Sequence, residues 1–233
     1  MASFYFAFVL LFYAVNAWAI SAEEILAKAD AIRNPAQSYL MKVEVKSTQD
    51  TEGDSVFKVS IQGNDKTFVE TLAPAKDRGR NLLMLDENMW AFIPNLNRAV
   101  RVGLNQRLSG QAANGDISRM RWSGDYDAKI ESSASGQWIL FLSAKKKGLT
   151  YDKLRIWVDQ KNFYPLKAEF LTLSGKVIKK ATYGTYVRLA DTLRPSEITI
   201  QDAIRPDDRS TLHILEMTPK TFPASLFNQN SMK

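Results

Sequence analysis

From Tyr39 onward, apolar residues fall at every second position, and this alternation commits most of the chain to sheet. Tyr39, Met41, Val43 and Val45 alternate with Leu40, Lys42, Glu44 and Lys46, and Phe57, Val59 and Ile61 with Lys58 and Ser60. Successive side chains of a strand point to opposite faces, so such a run buries one face and wets the other. Turn-forming clusters punctuate the runs at Glu52-Gly53-Asp54, Gly63-Asn64-Asp65, Asp86-Glu87-Asn88 and Asn95-Leu96-Asn97. The rhythm resumes at Gln137 to Ser143, Lys153 to Val158, Leu166 to Leu171 and Thr211 to Met217. Short strands at even spacing predict a mainly β domain, an antiparallel meander of about ten or eleven strands.

A sheet of that width either curls or splits into two packed layers. Trp138-Ile139-Leu140-Phe141-Leu142 offers large apolar groups to both faces, which fits either outcome. One amphipathic helix precedes the strands. Ser21 and Glu24 form a Ser-x-x-Glu capping box, Ile25, Leu26, Ala29 and Ile32 recur at helical spacing, and Asn34-Pro35 ends the run. A single apolar stripe on a short helix needs a surface to cover, and a concave sheet face would supply one. Residues 103 to 128 break the alternation with four glycines, and are expected to form a long excursion containing short helical turns. The Lys145-Lys146-Lys147 triplet reads as a solvated turn.

Ahead of the helix, Phe4 to Val15 is unbroken apolar sequence followed by Ala17-Trp18-Ala19, a small-x-small site. Residues 1–19 therefore read as a signal peptide and 20–233 as one exported domain, periplasmic and soluble once the peptide is removed. The run is shorter than the roughly 20 residues of a comfortable span. It lacks a preceding Lys or Arg, so an uncleaved anchor is the alternative.

The chain has no Cys and one His, which removes disulfides, thiolate chemistry and the usual zinc ligands. His213 alternates with Leu212 and Ile214 and reads as a half-buried strand residue. Nucleophile elbows, phosphate loops and dinucleotide fingerprints are missing. The acids of 50–54, Asp125 with Asp127, and Asp207-Asp208 are expected to be solvated turns. The expectation is a protein that is not an enzyme and uses neither cofactor nor metal. A net charge of +6 on an exported chain points to anionic lipid or an acidic partner, and not to nucleic acid. Aromatic residues are the resource that remains. Trp90, Phe92, Trp122, Trp138, Phe141, Trp157 and Phe170 are candidates to line an apolar cavity, with plain core filling as the alternative. Burial contributes about 0.8 kcal/mol per methylene, so such a cavity could hold acyl chains without specific polar contacts.

Three stretches carry a resemblance. Arg78 to Leu85 runs into Asn88-Met89-Trp90-Ala91-Phe92-Ile93-Pro94 and then Arg98 and Arg101. Gly115-Asp116-Ile117-Ser118 leads to Trp122-Ser123-Gly124-Asp125-Tyr126. Ile156-Trp157-Val158-Asp159 precedes Tyr164 to Phe170, Ser174-Gly175-Lys176 and Arg194-Pro195-Ser196. In this order they resemble the outer-membrane lipoprotein-sorting protein family, the wider relatives of the periplasmic carrier LolA and its receptor LolB. The resemblance implies a half-open antiparallel β-barrel covered by helices around an apolar cavity. It implies carriage of lipoprotein or lipid acyl chains from an inner-membrane transporter, of resistance-nodulation-division or ABC type, toward an outer-membrane acceptor. A lipid sensor or accessory module of a transporter is the second reading. Carriers of this kind close a helical lid through an arginine that reaches backbone carbonyls, and Arg78, Arg80, Arg98 and Arg101 are candidates by residue type alone.

Overall fold

The computed structural model describes residues 20–232 except 36 and 50–52; the expected signal peptide lies outside the described residues. Helix α1 spans Ala22–Arg33. Ser21 caps it, its Oγ accepting the Glu24 N–H at 3.1 Å, while Glu23 and Glu24 face the positive end of the helix dipole. Ala22, Ile25, Leu26 and Ala29 are buried, the stripe that the spacing predicts.

Among the described residues fifteen strands follow. Strands β1 (Tyr39–Ser47), β2 (Ser55–Gln62), β3 (Lys66–Ala73), β4 (Asn81–Leu85), β5 (Asn88–Ile93) and β6 (Arg98–Val102) form the first half. The excursion holds the two-stranded pair β7 (Arg107–Ser109) and β8 (Ala112–Ala113), then the short helix α2 (Asn114–Ser118). The second half comprises β9 (Tyr126–Ala134), β10 (Gln137–Ala144), β11 (Lys153–Asp159), β12 (Pro165–Leu171), β13 (Val177–Leu189), β14 (Thr192–Asp202) and β15 (Arg209–Pro219).

Thirteen of these strands make one antiparallel sheet in the order β6-β5-β4-β3-β2-β1-β15-β14-β13-β12-β11-β10-β9. Every neighbour is a sequence neighbour except β1 and β15, which pair from Tyr39 opposite Pro219 to Ser47 opposite Ser210. The count of ten or eleven strands is corrected to fifteen. Strand β9 eluded the pattern because its exposed residues from Lys129 to Ala134 show no apolar alternation, and β7 and β8 are too short to show a period. The sheet is one layer and is not closed, since β6 and β9 are left as edges. It nevertheless wraps a shared interior. Met84 and Met89 from one half and Leu140 and Leu142 from the other belong to a single buried cluster with Ile25, Leu26 and Ala29 of α1 and Ile117 of α2.

A second cluster lies on the other side of β3 to β5. There Phe68, Leu83 and Phe92 pack with Phe227 and Met232 of the C-terminal tail. Alternation separates the clusters, because Val69, Leu82 and Ala91 face inward while their chain neighbours Phe68, Leu83 and Phe92 face outward.

Candidate functional site

The concave face of the sheet carries two coverings, α1 and the 103–125 excursion, and buried polar side chains tie them together. Asp30 of α1 accepts the backbone N–H groups of Trp122 (2.9 Å) and Ser123 (3.0 Å). Arg33, one turn on, reaches Asp30 at 3.3 Å, donates to the Met120 carbonyl, and lies with its guanidinium 3.5 Å from the Trp122 ring centroid. Burial pushes the Asp30 carboxyl above the usual carboxylate range, with Arg33 and the two N–H groups opposing that shift.

Other contacts tie each covering to the sheet. Arg194 of β14 donates to the Ala31 and Ile32 carbonyls, both at 2.7 Å. Those are among the carbonyls that the last turn of a helix leaves unpaired, so a cation is well placed there. Thr67 of β3 donates to the Ser118 carbonyl at 2.7 Å, and Tyr151 to Asp116 at 3.0 Å. Gly110 sits where no side chain fits: its φ is +52°, and a Cβ would lie 2.1 Å from Ser210 Oγ. The Ser109-Gly110 turn is therefore a point of close approach between excursion and sheet.

Beneath these contacts lies a cavity. Its floor is apolar, built from Leu154, Phe170, Ile198, Ile200 and Leu212, and its roof is charged, with Arg33, Asp116, Arg119, Arg121 and Asp125. Arg119 grips Asp125 through two nitrogens at 2.6 and 2.8 Å, and Arg121 adds a third bond at 2.9 Å. Burial works against ionisation of Asp125, yet the two guanidiniums outweigh it and hold its pKa below the ordinary value. Asp116, half-buried with bonds from the Ala113 N–H and the Tyr151 hydroxyl, is shifted upward by desolvation. The space left for solvent is about 40 Å³, room for roughly three water molecules. Pockets that enclose small ligands run to about 300 Å³ or more. The interior is filled by its covering.

The expected site residues are dispersed. Trp122 and Phe170 line the cavity, Phe170 stacked on Tyr151 with centroids 4.1 Å apart. Trp138 borders the main core and stacks on Phe163. Trp90 and Phe92 belong to the outer cluster under the tail. Phe141 and Trp157 lie half-buried, with Arg155 6.0 Å from the Phe141 ring and Lys167 4.2 Å from the Trp157 ring. Arg78 donates to the Leu72 carbonyl, Arg80 pairs with Asp77, Arg101 bonds Asn88, and Arg98 is exposed on β6. Among the described residues, Arg194 reaches the backbone of α1 and Arg33 that of the excursion.

Asp125 corrects the expectation of a solvated turn, since it is 1% exposed and bonded to two arginines. A carboxylate next to Gly124 looks like turn punctuation, but Arg119 and Arg121 stand six and four residues upstream to neutralise it. The signal was present as Arg-Met-Arg-Trp, charges interleaved with large apolar groups inside a polar excursion. Asp127, by contrast, is exposed.

Solved structures share this architecture of one open antiparallel sheet with a covered concave face. A LolA superfamily protein from Nitrosomonas europaea superposes with a TM-score of 0.85 at 33% identity, over 91% of this chain and 99% of that one. A putative outer membrane lipoprotein-sorting protein domain from Vibrio parahaemolyticus and a DUF1329 family protein from Desulfovibrio piger each give a TM-score of 0.75. Their identities are 18% and 16%, over 91% of this chain and 97% and 98% of theirs, a likeness of fold alone. A family model described as an uncharacterized protein matches residues 63–233. Among curated proteins none matches. The chain belongs to the LolA superfamily.

Proposed function

We propose that this protein is a periplasmic carrier that takes acyl chains of lipid or lipoprotein beneath α1 and the excursion. It would receive cargo from an inner-membrane transporter, of resistance-nodulation-division or ABC type, and pass it toward an outer-membrane acceptor, with no chemistry of its own. The observation that carries this reading is the contrast between floor and fastening. The floor is apolar, whereas the coverings are fastened at their margins by a few hydrogen bonds and ion pairs. Buried polar pairs contribute little net stability compared with apolar packing, so such a fastening can be exchanged for a ligand. A cavity of about 40 Å³ is then the closed state, and cargo enters as α1 lifts. Membership of the LolA superfamily supports the same reading.

Native mass spectrometry of the protein purified from cells, with displacement of an apolar fluorescent probe by acyl ligands, tests it. Bound acyl species are expected, and Arg194→Ala should take up the probe faster than the parent. A protein that carries no lipid and binds no probe in either form would overturn the proposal.

A further inference from the structure

Two buried donors at the cavity find no acceptor among the described residues, the Nε–H groups of Arg33 and Arg121. Both residues line the space described above. The Arg33 side chain is 6% exposed, and its Nη2 is engaged by Asp30 and the Met120 carbonyl. Arg121 uses its Nη2 on Asp125. A buried guanidinium N–H without a partner is costly, and native proteins seldom leave one without a reason. Three guanidiniums, of Arg33, Arg119 and Arg121, meet three carboxylates, of Asp30, Asp116 and Asp125, and burial shifts Asp30 and Asp116 toward their neutral forms. Below the charges lies the floor of Leu154, Phe170, Ile198, Ile200 and Leu212. Cationic donors therefore sit at one side of the cavity and hydrocarbon at the other.

We infer that the cavity recognises an anionic amphiphile, its carboxylate or phosphate head accepting from Arg33 and Arg121 and its acyl chain lying along the apolar floor. The inference rests on the carrier reading and narrows its cargo to lipids with an acidic head. A neutral head offers no charge to the two unmatched donors, whereas a carboxylate or phosphate oxygen meets a guanidinium in a charge-assisted hydrogen bond. The proteins that could supply and accept such a cargo are those that handle free fatty acids or anionic phospholipids.

The test uses the full chain with an apolar fluorescent probe, displaced by dodecanoate, dodecyl phosphate and dodecanol, each below its micellar concentration. Both acids should displace the probe at concentrations about tenfold or more below dodecanol. Arg121→Gln should abolish that preference. Arg121→Lys, which keeps the charge and loses Nε, should retain only part of it, and it serves also if the Gln variant folds poorly. A difference between dodecanoate and dodecyl phosphate identifies the preferred head. Equal displacement by acid and alcohol would overturn the inference and leave the carrier reading intact, whereas failure of all three ligands would overturn both. Inorganic phosphate binding as tightly as dodecyl phosphate would mark a simple anion site and overturn the amphiphile.

Discussion

Both faces of the sheet are covered by apolar packing, and the concave face adds buried polar joints to it. On the concave side α1 and the excursion meet through Asp30, Arg33 and backbone groups of Met120, Trp122 and Ser123. On the opposite side of β3 to β5, the tail is held by apolar contact, Phe227 against Phe68, Leu83 and Phe92, with Phe222 edge-on to Phe227 at 5.9 Å. Polar joints depend on exact geometry and exchange one partner for another at little net cost, whereas apolar contact simply scales with area. The comparison teaches where geometry is demanded: the inner covering adds buried polar joints to the packed stripe of Ile25, Leu26 and Ala29, whereas the outer one rests on apolar contact.

Asp30→Ala should break this comparison most severely. It leaves Arg33 as an uncompensated buried charge and removes the acceptor for two N–H groups, costing about 3–5 kcal/mol in urea unfolding. Probe uptake should rise in the fraction that stays folded. Phe227→Ala should cost about 2 kcal/mol by the same measurement and leave probe uptake unaltered, because that ring packs in the outer cluster. Uptake that changed equally in both variants would erase the distinction between the faces. Arg194→Lys keeps the charge but loses the planar guanidinium whose Nη1 donates to both helix carbonyls while its Nε donates to Leu189. About 1 kcal/mol is expected from urea midpoints, with faster probe entry in stopped flow.

The smallest effect is one of pH. Burial raises the folded-state pKa of Asp116 above its ordinary 3.8. Its neutral form is favoured by the fold, so this contribution is complete below about pH 4 and declines as pH rises through the shifted value. Asp125 has the opposite sign, since its lowered pKa adds stability above the ordinary value that is lost on acidification. Asp116→Asn should lessen the decline on the alkaline side of about pH 4, to which Asp30 contributes with the same sign, while leaving the acid loss in place, measured by urea midpoints across the two ranges.

Local features of this molecule were legible in its sequence. Ser21 capping α1, the alternation of Tyr39, Met41, Val43 and Val45, and the half-buried His213 follow from nearest neighbours and period. The site was not, for a physical reason. Asp30 meets Trp122 across 92 residues, and Arg194 meets Ala31 and Ile32 across 163 and 162, and no local pattern encodes such partners. Composition named aromatics as a cavity lining, but alternation decides which face each takes, so Phe170 points inward while Phe92 packs outward. Chemistry at the site comes chiefly from arginines and aspartates, residue types that sequence patterns assign to surfaces by default.

The pairing of β1 with β15 has a kinetic consequence. Other neighbours in the large sheet are joined by hairpins or by short connections and can zip locally, but this one closes a loop of nearly the whole domain. Closing so distant a contact pays its chain entropy before any reward arrives, and proteins dominated by such contacts fold slowly. The final hairpin to emerge must find the first strand laid down, so the two halves of the molecule wait for each other as separate ribbons with bare margins. A chaperone that shields those margins would have its greatest value in that interval.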